Sequence, residues 1–381
     1  MITALRGRLK ASLICAVVAA CLVALPAARS APSILPPVHE HAQAALENVE
    51  RAFARLGGAG EFFAASAGNL IPRPAYRNSF SNGFGYDNHF QGIQRLGTSD
   101  VLALSGADAA ASAADLFLVD LGAGPARFIA SFTLDDQAWH AGGISEGASI
   151  LAVPFYDSGG SGRQSRVRFY DVSDPYWPRQ LPITIERAGR KAIAVALTRL
   201  GNQHWLVAVL SGRDGDPRRL DFYLSRTVDL LDGFGPPVGW PTAYVRARNG
   251  EAPSFSHFQN INFLAQTDGR LYLVGFHNTF VNLSALPGRD YADLYEIVLP
   301  ASVTRAEQPA IDYPFVVKVA NRRLGCRDGY CSFDAAAGAH VDPRSGLLSI
   351  YAAPGWIDGN DLKLARFGES SRAAGSSGRR R

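Results

Sequence analysis

Hydrophobic positions along this chain fall in short runs that recur in sets of three. The first set is His89-Phe-Gln-Gly-Ile-Gln-Arg-Leu, then Val101 to Ser105, then Asp115 to Leu121, all rich in Leu, Val, Ile and Phe and bounded by Gly, Ser, Asp and Ala. Runs of this length and punctuation predict three strands of an antiparallel meander. The order recurs from His140 (His-Ala-Gly-Gly-Ile, Ile150 to Pro154, Arg166 to Asp171) and from Lys191 (Lys-Ala-Ile-Ala-Val, Trp205 to Leu210, Leu220 to Leu224). A fourth set is His257-Phe-Gln-Asn-Ile, Leu271 to Val274 and Asp293 to Leu299, and a fifth is Ala337 to Val341, Leu347 to Tyr351 and Asp361 to Phe367. One small sheet cannot bury its own face, so its repetition predicts a radial array of sheets: an all-β chain folded as a β-propeller. Five blades of four antiparallel strands are expected. A sixth would have to hide between Lys191 and His257 or between His257 and Ala337.

Each blade also needs an outer fourth strand. Arg127 to Leu134, Leu181 to Glu186, Trp240 to Arg246 and Phe315 to Val319 supply it for four sets, and nothing suitable follows Phe367. The segment between Glu61 and Asn88 is the available donor, which would join the first blade to the last and remove an open sheet edge.

Ahead of the repeats, Val38, Ala42, Leu46, Val49, Phe53 and Leu56 recur at intervals of three and four, predicting an N-terminal amphipathic helix that caps the propeller and stops at Gly57-Gly58. His39 and His41 would point in different directions on that helix and form a poor chelate. Further upstream, Arg6, Arg8 and Lys10 precede an apolar run from Ala11 to Leu25 and then Pro26-Ala27-Ala28-Arg29-Ser30. Residues 1–30 thus read as a secretory signal peptide, too short in its apolar part for a membrane span. Val18-Ala19-Ala20-Cys21 also resembles the lipobox of exported lipoproteins, although apolar residues continue past Cys21. The expected organisation is 1–30 signal peptide, 31–60 helical cap, 61–367 propeller and 368–381 a disordered tail of Ser, Gly, Ala and Arg.

The formal net charge of +4 falls close to zero once Arg6, Arg8, Lys10 and Arg29 leave with the signal. No broad basic face for nucleic acid is therefore expected. Two of the four cysteines leave as well. Cys326 and Cys331 flank an Asp-Gly turn and are expected to form a disulfide in an oxidising, secreted or periplasmic compartment.

In a propeller the start of each innermost strand and the loop after each second strand lie on one face, around the mouth of the central channel. The leading positions are His89, His140, Lys191 and His257, with Gln91 and Gln259 two residues on; Asp334 or His340 is the fifth equivalent. The second set of loops brings Asp108, Asp157, Asp214, Asp216, His277, Asn278, Trp356 and Asp358 to the same face. Converging imidazoles suit a transition metal, but the ammonium of Lys191 has no free lone pair at neutral pH, so no metal or other cofactor is expected. An anionic or hydroxyl-rich ligand fits the set better, held more tightly as imidazoles protonate below about pH 6.5. The competing reading is that duplication copied these residues and that they fix blade packing. Asp87, Asp136 and Glu186 precede three successive leading positions and are the candidate carboxylates for a hydrolase of glycosidase or esterase type, although each is also an ordinary turn or strand-end residue. No phosphate loop, nucleophile elbow or His-Glu-x-x-His motif is present.

Arg166-Val-Arg-Phe-Tyr-Asp-Val-Ser-Asp-Pro175, followed by Trp177-Pro178, resembles the strand-and-turn signature of LVIVD-type propeller repeats. Asp120-Leu121-Gly122 matches it in degraded form, and the other sets depart from it. The resemblance implies a propeller and an exported protein and transfers no functional residue. The sequence thus leads to an exported, monomeric binding module for a small polar ligand, a glycan or an extracytoplasmic protein, with a hydrolase at the same mouth as the alternative.

Overall fold

The computed structural model describes residues 44–68, 88–108, 112–122, 124–157, 165–187, 189–211, 219–279, 289–304, 314–327, 330–357 and 359–369. The signal segment, His39, His41, Asp87, Asp214, Asp216, Asp358 and the tail from 370 lie outside these residues.

The described strands of the unit His39–Arg381 pair into five four-stranded antiparallel sheets, the blades of a β-propeller. Blade one runs outward through Asn88–Arg95, Val101–Asp108, Ala113–Asp120 and Arg127–Asp135. Blade two begins with two short pieces, His140–Ala141 and Ser145–Gly147, and continues through Ile150–Tyr156, Arg166–Asp171 and Arg179–Glu186. Blade three is Ala194–Arg199, Trp205–Ser211, Arg219–Leu224 and Val238–Pro241. Blade four is Asn260–Gln266, Leu271–Thr279, Arg289–Val298 and Phe315–Leu324. Blade five has Ala336–Val341, Leu348–Ala353 and Asp361–Gly368, and takes its outermost strand from the N-terminal side, Glu61–Ser66. That strand pairs antiparallel with the last one from Glu61 against Arg366 to Ser66 against Asp361, which is the closure expected from the missing outer strand. Ser66 also bridges in parallel to Arg127, joining blades five and one at their outer edges.

Two local departures have physical causes. The innermost strand of blade two is broken opposite Pro154, which has no N–H to donate to the ladder. Gly143 there turns to blade three instead, its N–H donating to the Ile193 carbonyl (2.9 Å) and its carbonyl accepting from Val195 (3.0 Å). In blade three the outer strand is Val238–Pro241 alone; Arg246–Ala247 crosses to pair in parallel with the outermost strand of blade four.

Successive innermost strands touch around a closed ring, blade one to two, two to three, three to four, four to five and five to one. Because each sheet is apolar on both faces, the core lies in layers between blades. Leu102, Phe117, Tyr351 and Leu364 fill the layer between blades five and one, and Val101, Leu116, Leu151 and Tyr170 the layer between one and two.

The helix is shorter than its apolar period predicts. Helix α1 spans Val49–Arg55, because Asn48 caps it by accepting the Arg51 N–H (2.8 Å) and Ala45–Leu46 is extended, paired in parallel with Ala265 and Gln266. Val49, Ala52 and Phe53 pack between blades four and five beside Tyr272, Phe276 and Phe333. Glu50 accepts from the Tyr272 hydroxyl (3.0 Å) and pairs with Arg248, and Arg322 donates to the Ala54 carbonyl (2.7 Å). The helix is therefore a wedge between two blades. Cys326 and Cys331 are bonded, with Cα atoms 5.5 Å apart, in the connection from blade four to blade five.

Polar side chains close the axis itself. Asn260 stands where the corresponding positions of blades one to three carry Gly92, Gly143 and Ala194. Its Nδ2 donates to the carbonyls of Gln91 (2.8 Å) and Ala335 (3.1 Å), on blades one and five. One layer deeper, Asn262 donates to Gln94 Oε1 (3.1 Å) and the Ile144 carbonyl (3.3 Å) and accepts the Ala339 N–H (2.9 Å), while Gln94 donates to the Ala339 carbonyl (3.0 Å). At the far end of the innermost strands His340 is buried, and desolvation pushes its imidazole down to about 3.

This crowding leaves no room for side chains at the axial glycines. A Cβ on Gly338 would lie 1.8 Å from the Ile93 carbonyl oxygen, and one on Gly143 2.3 Å from that of Gln259. Gly338→Ala and Gly143→Ala should each cost about 3 kcal/mol or more of unfolding free energy in urea titrations. Reduction of Cys326–Cys331 frees only a short loop, so it should cost about 2 kcal/mol and leave the far-ultraviolet circular dichroism unchanged.

Candidate binding site

Innermost strands all begin on one face of the propeller, and their leading residues ring the axis above Asn260. On blades one and two the His89 and His140 rings meet edge to face at 5.1 Å between centroids. His140 stacks on Tyr156 at 4.3 Å, and the Lys191 ammonium of blade three lies 5.9 Å from the centre of the same Tyr156 ring. Tyr156 is positioned by the ladder, as the residue directly opposite His140. His89, His140, Tyr156 and Lys191 thus form one continuous wall across three blades, with His140 and Lys191 only 7% and 6% exposed.

The other wall comes from blades four and five and is acidic. Gln259 Nε2 donates to Asp334 Oδ1 at 3.5 Å, near the long limit for such a bond. Asp290, at the start of the third strand of blade four, accepts from the Phe333 N–H (2.7 Å) and Asn278 Nδ2 (3.0 Å). Burial pushes its carboxyl up to about 6, and the charge of Asp334 adds to the rise. His277 sits 3.4 Å from Asp293, stacked against Tyr291 and beside Phe258. Asp293 is held below the ordinary carboxylate range by bonds to His277 and Asn321 and by the charge of Lys318, which together outweigh its desolvation.

Of the residues expected at the mouth, the structure joins His89 to His140, His140 to Lys191 through Tyr156, and Gln259 to Asp334. His257 lies in the exposed segment before blade four, while the following Phe258 and Gln259 turn inward. Asp334, not His340, is the leading residue of blade five, since His340 falls near the other end of its strand. Asp136 is exposed after the outer strand of blade one, and Glu186 is exposed at the end of the outermost strand of blade two, three strands from the axis. Among the described residues, no three His, Cys, Asp or Glu side chains are grouped to hold a metal ion. Tyr156 and Asp290 were not singled out by sequence. Tyr156 ends an apolar strand and Asp290 begins one, where neither carries a signal apart from its place in the repeat.

No family model matches the sequence, and no curated protein matches it. Among solved structures, the chain is similar to an α-L-arabinanase of Penicillium chrysogenum complexed with arabinobiose, at 9% identity over 81% of this chain and 97% of that one, with a TM-score of 0.41. A GH43 endo-arabinanase from Bacillus licheniformis gives 12% identity, 73% and 94% coverage and a TM-score of 0.41. The endosialidase of phage phi92 gives 9%, 81% and 61%, and 0.39. Superpositions this loose transfer no activity; the blade count above rests on this chain's own strand pairing.

The raised carboxyl of Asp290 has a stability consequence of definite sign. Its folded state holds a proton more firmly than the unfolded chain, so its contribution is complete below pH 3.8 and is lost as pH rises through about 6. Asp290→Asn mimics the protonated form, and its stability relative to the parent should climb by about 2 kcal/mol between pH 4 and pH 8 in denaturant titrations. A difference that stays flat with pH would show that the folded and unfolded states hold the Asp290 proton equally.

Proposed function

We propose that this chain is an exported binding protein that holds a small, hydroxyl-rich or anionic ligand of the saccharide class at the mouth of its propeller. The observation that carries this reading is the wall His89–His140–Tyr156–Lys191. Two imidazoles, a phenol ring and an ammonium from three blades are in contact there, at the end of a channel whose axis is closed by Asn260. An aromatic face beside hydrogen-bond donors is the usual chemistry of a polar-ligand pocket. The Cys326–Cys331 bond supports a destination outside the cytoplasm, and no helix among the described residues is long and apolar enough to cross a membrane.

A hydrolase at the same mouth is the second reading. It is favoured by the placing of Asp290, a buried carboxyl at the mouth pushed up to about 6 by desolvation and by the charge of a second carboxylate, Asp334. Glycoside cleavage needs such a pair, one group as acid and one as base or nucleophile.

Calorimetric titration with arabinobiose, galactose and galacturonate, alongside a reducing-sugar assay on arabinan, separates the readings. At least one of the sugars should bind, and Lys191→Met, which keeps the stem over Tyr156 and removes the charge, should weaken it about tenfold with Tm nearly unchanged. Reducing ends released from arabinan and lost in Asp334→Asn would favour the hydrolase. Absence of both binding and turnover would overturn the assignment of the mouth.

A further inference from the structure

Gln91 is placed in a way that blade packing does not explain. In the ladder between the first two strands of blade one, Phe90 pairs with Gly106 and Gly92 with Ser105, so Gln91 is an extra residue, a β-bulge with no opposite number. Bulges re-aim a side chain out of the regular alternation and are frequent beside functional sites. The backbone at this point is pinned, because the Gln91 carbonyl accepts from Asn260 Nδ2 at the axis. Its side chain is 4% exposed, yet Oε1 is buried with no hydrogen-bond partner. The residue at this place in the sequence of blade four, Gln259, extends its amide to Asp334 at the mouth.

A buried acceptor left unpaired is costly, and such groups are scarce in folded proteins. The cost is recovered when a bound molecule supplies the donor. That requirement selects for a ligand bearing O–H or N–H groups and against a simple anion. The two walls add a second requirement. Lys191 and the imidazoles line blades one to three, whereas Asp334 and Asp290 line blades four and five, with Gln91 on blade one next to the acidic side. A molecule lying across the mouth therefore meets positive donors at one end and acceptors at the other.

Resting on the reading of the mouth as a saccharide site, we infer that the ligand is a hydroxylated carboxylic acid of the sugar-acid class, with its carboxylate toward Lys191 and a hydroxyl donating to Gln91 Oε1. Gln91 is then a specificity-determining residue. Neutral sugars lack the group for the first wall, and small carboxylates lack the group for the second.

The test compares galacturonate, galactose and acetate by calorimetry on the full chain, with Gln91→Met as the near-isosteric apolar variant and Gln91→Glu as one that keeps an acceptor. Galacturonate should bind at least tenfold more tightly than galactose or acetate. Gln91→Met should weaken galacturonate about tenfold and at the same time raise Tm, because it removes an unpaired buried acceptor. A residue that only supported the fold would move both quantities downward together. Gln91→Glu keeps the acceptor and should bind galactose at least as well as the parent, which preserves the test if the methionine variant fails to fold. Equal binding of galactose and galacturonate would overturn the sugar-acid assignment and leave the mouth as a saccharide site. Galacturonate binding untouched by Gln91→Met would overturn the role of Gln91, and no binding by any of the three would overturn both readings.

Discussion

Five parallel innermost strands around one axis cannot hydrogen-bond to one another all the way round, and the fold depends on how that deficit is met. Here side-chain amides stand in for backbone pairing. Asn260 and Asn262 of blade four, with Gln94 of blade one, reach carbonyls and N–H groups on blades one, two and five. Each bond contributes only about 1 kcal/mol net, but its loss would leave buried carbonyls unsatisfied, which costs more than the bond contributes. The glycines follow from the close approach of neighbouring innermost strands. A side chain on Gly143 would meet the Gln259 carbonyl and then Asn260, and the N–H and carbonyl of Gly143 are spent on blade three. Blade four thus acts as the post to which other blades are tied, and helix α1, wedged beside it, holds the post in place.

Much of this architecture is legible in the chain because apolar runs bounded by turn residues survive duplication. The leading strands, the blade count and the closing strand Glu61–Ser66 all follow from counting runs and finding one missing. The amide plug was less legible. Asn260-Ile-Asn262 is the one leading run with polar residues at two alternate positions facing the axis, where His140-Ala-Gly-Gly-Ile and Lys191-Ala-Ile-Ala-Val are apolar or small. That contrast is visible in the text, but its meaning requires the register of five strands at once. The truncation of the helix has a local cause that the apolar period masks, since Asn48 is a strong cap and Leu46 satisfies the same period from a strand. Pro154 is a signal of the opposite kind: a proline in a second strand predicts a gap in its neighbour, and the gap at Gly142–Ile144 is where blades two and three join.

Polar residues away from the mouth show what a purely structural role looks like in this fold. Arg187 and Asp221, each 1% exposed, are joined at 2.6 Å, and Arg187 also donates to the Tyr223 hydroxyl at 3.0 Å. Asp135 is paired with Arg166 and Arg168 at 3.1 and 2.9 Å, locking blade one to blade two. The turn after Asp171 is built the same way: its carboxylate accepts the Ser173 N–H and pairs with Arg179, and Asp174 accepts the Tyr176 N–H. Buried charges of this kind are compensated by an opposite charge and a second bond, because an unpaired one would cost several kcal/mol. Their persistence calls for no ligand.

At the mouth, two matching amides are used differently. Gln91 and Gln259 occupy matching places in two copies of the same unit, both with 4% exposure. One has its amide engaged by Asp334, and the other keeps an acceptor buried without a donor. The corresponding Ile193 of blade three shows that an apolar residue at this place is compatible with the fold. The proposed sugar-acid site gives the polar side chain at the bulge, between a cationic and an acidic wall, a partner that packing does not supply. The same axis that forces Asn260 to serve as internal mortar also pins the Gln91 backbone. The rigidity of the plug is thereby passed directly to the residue that carries the unpaired acceptor.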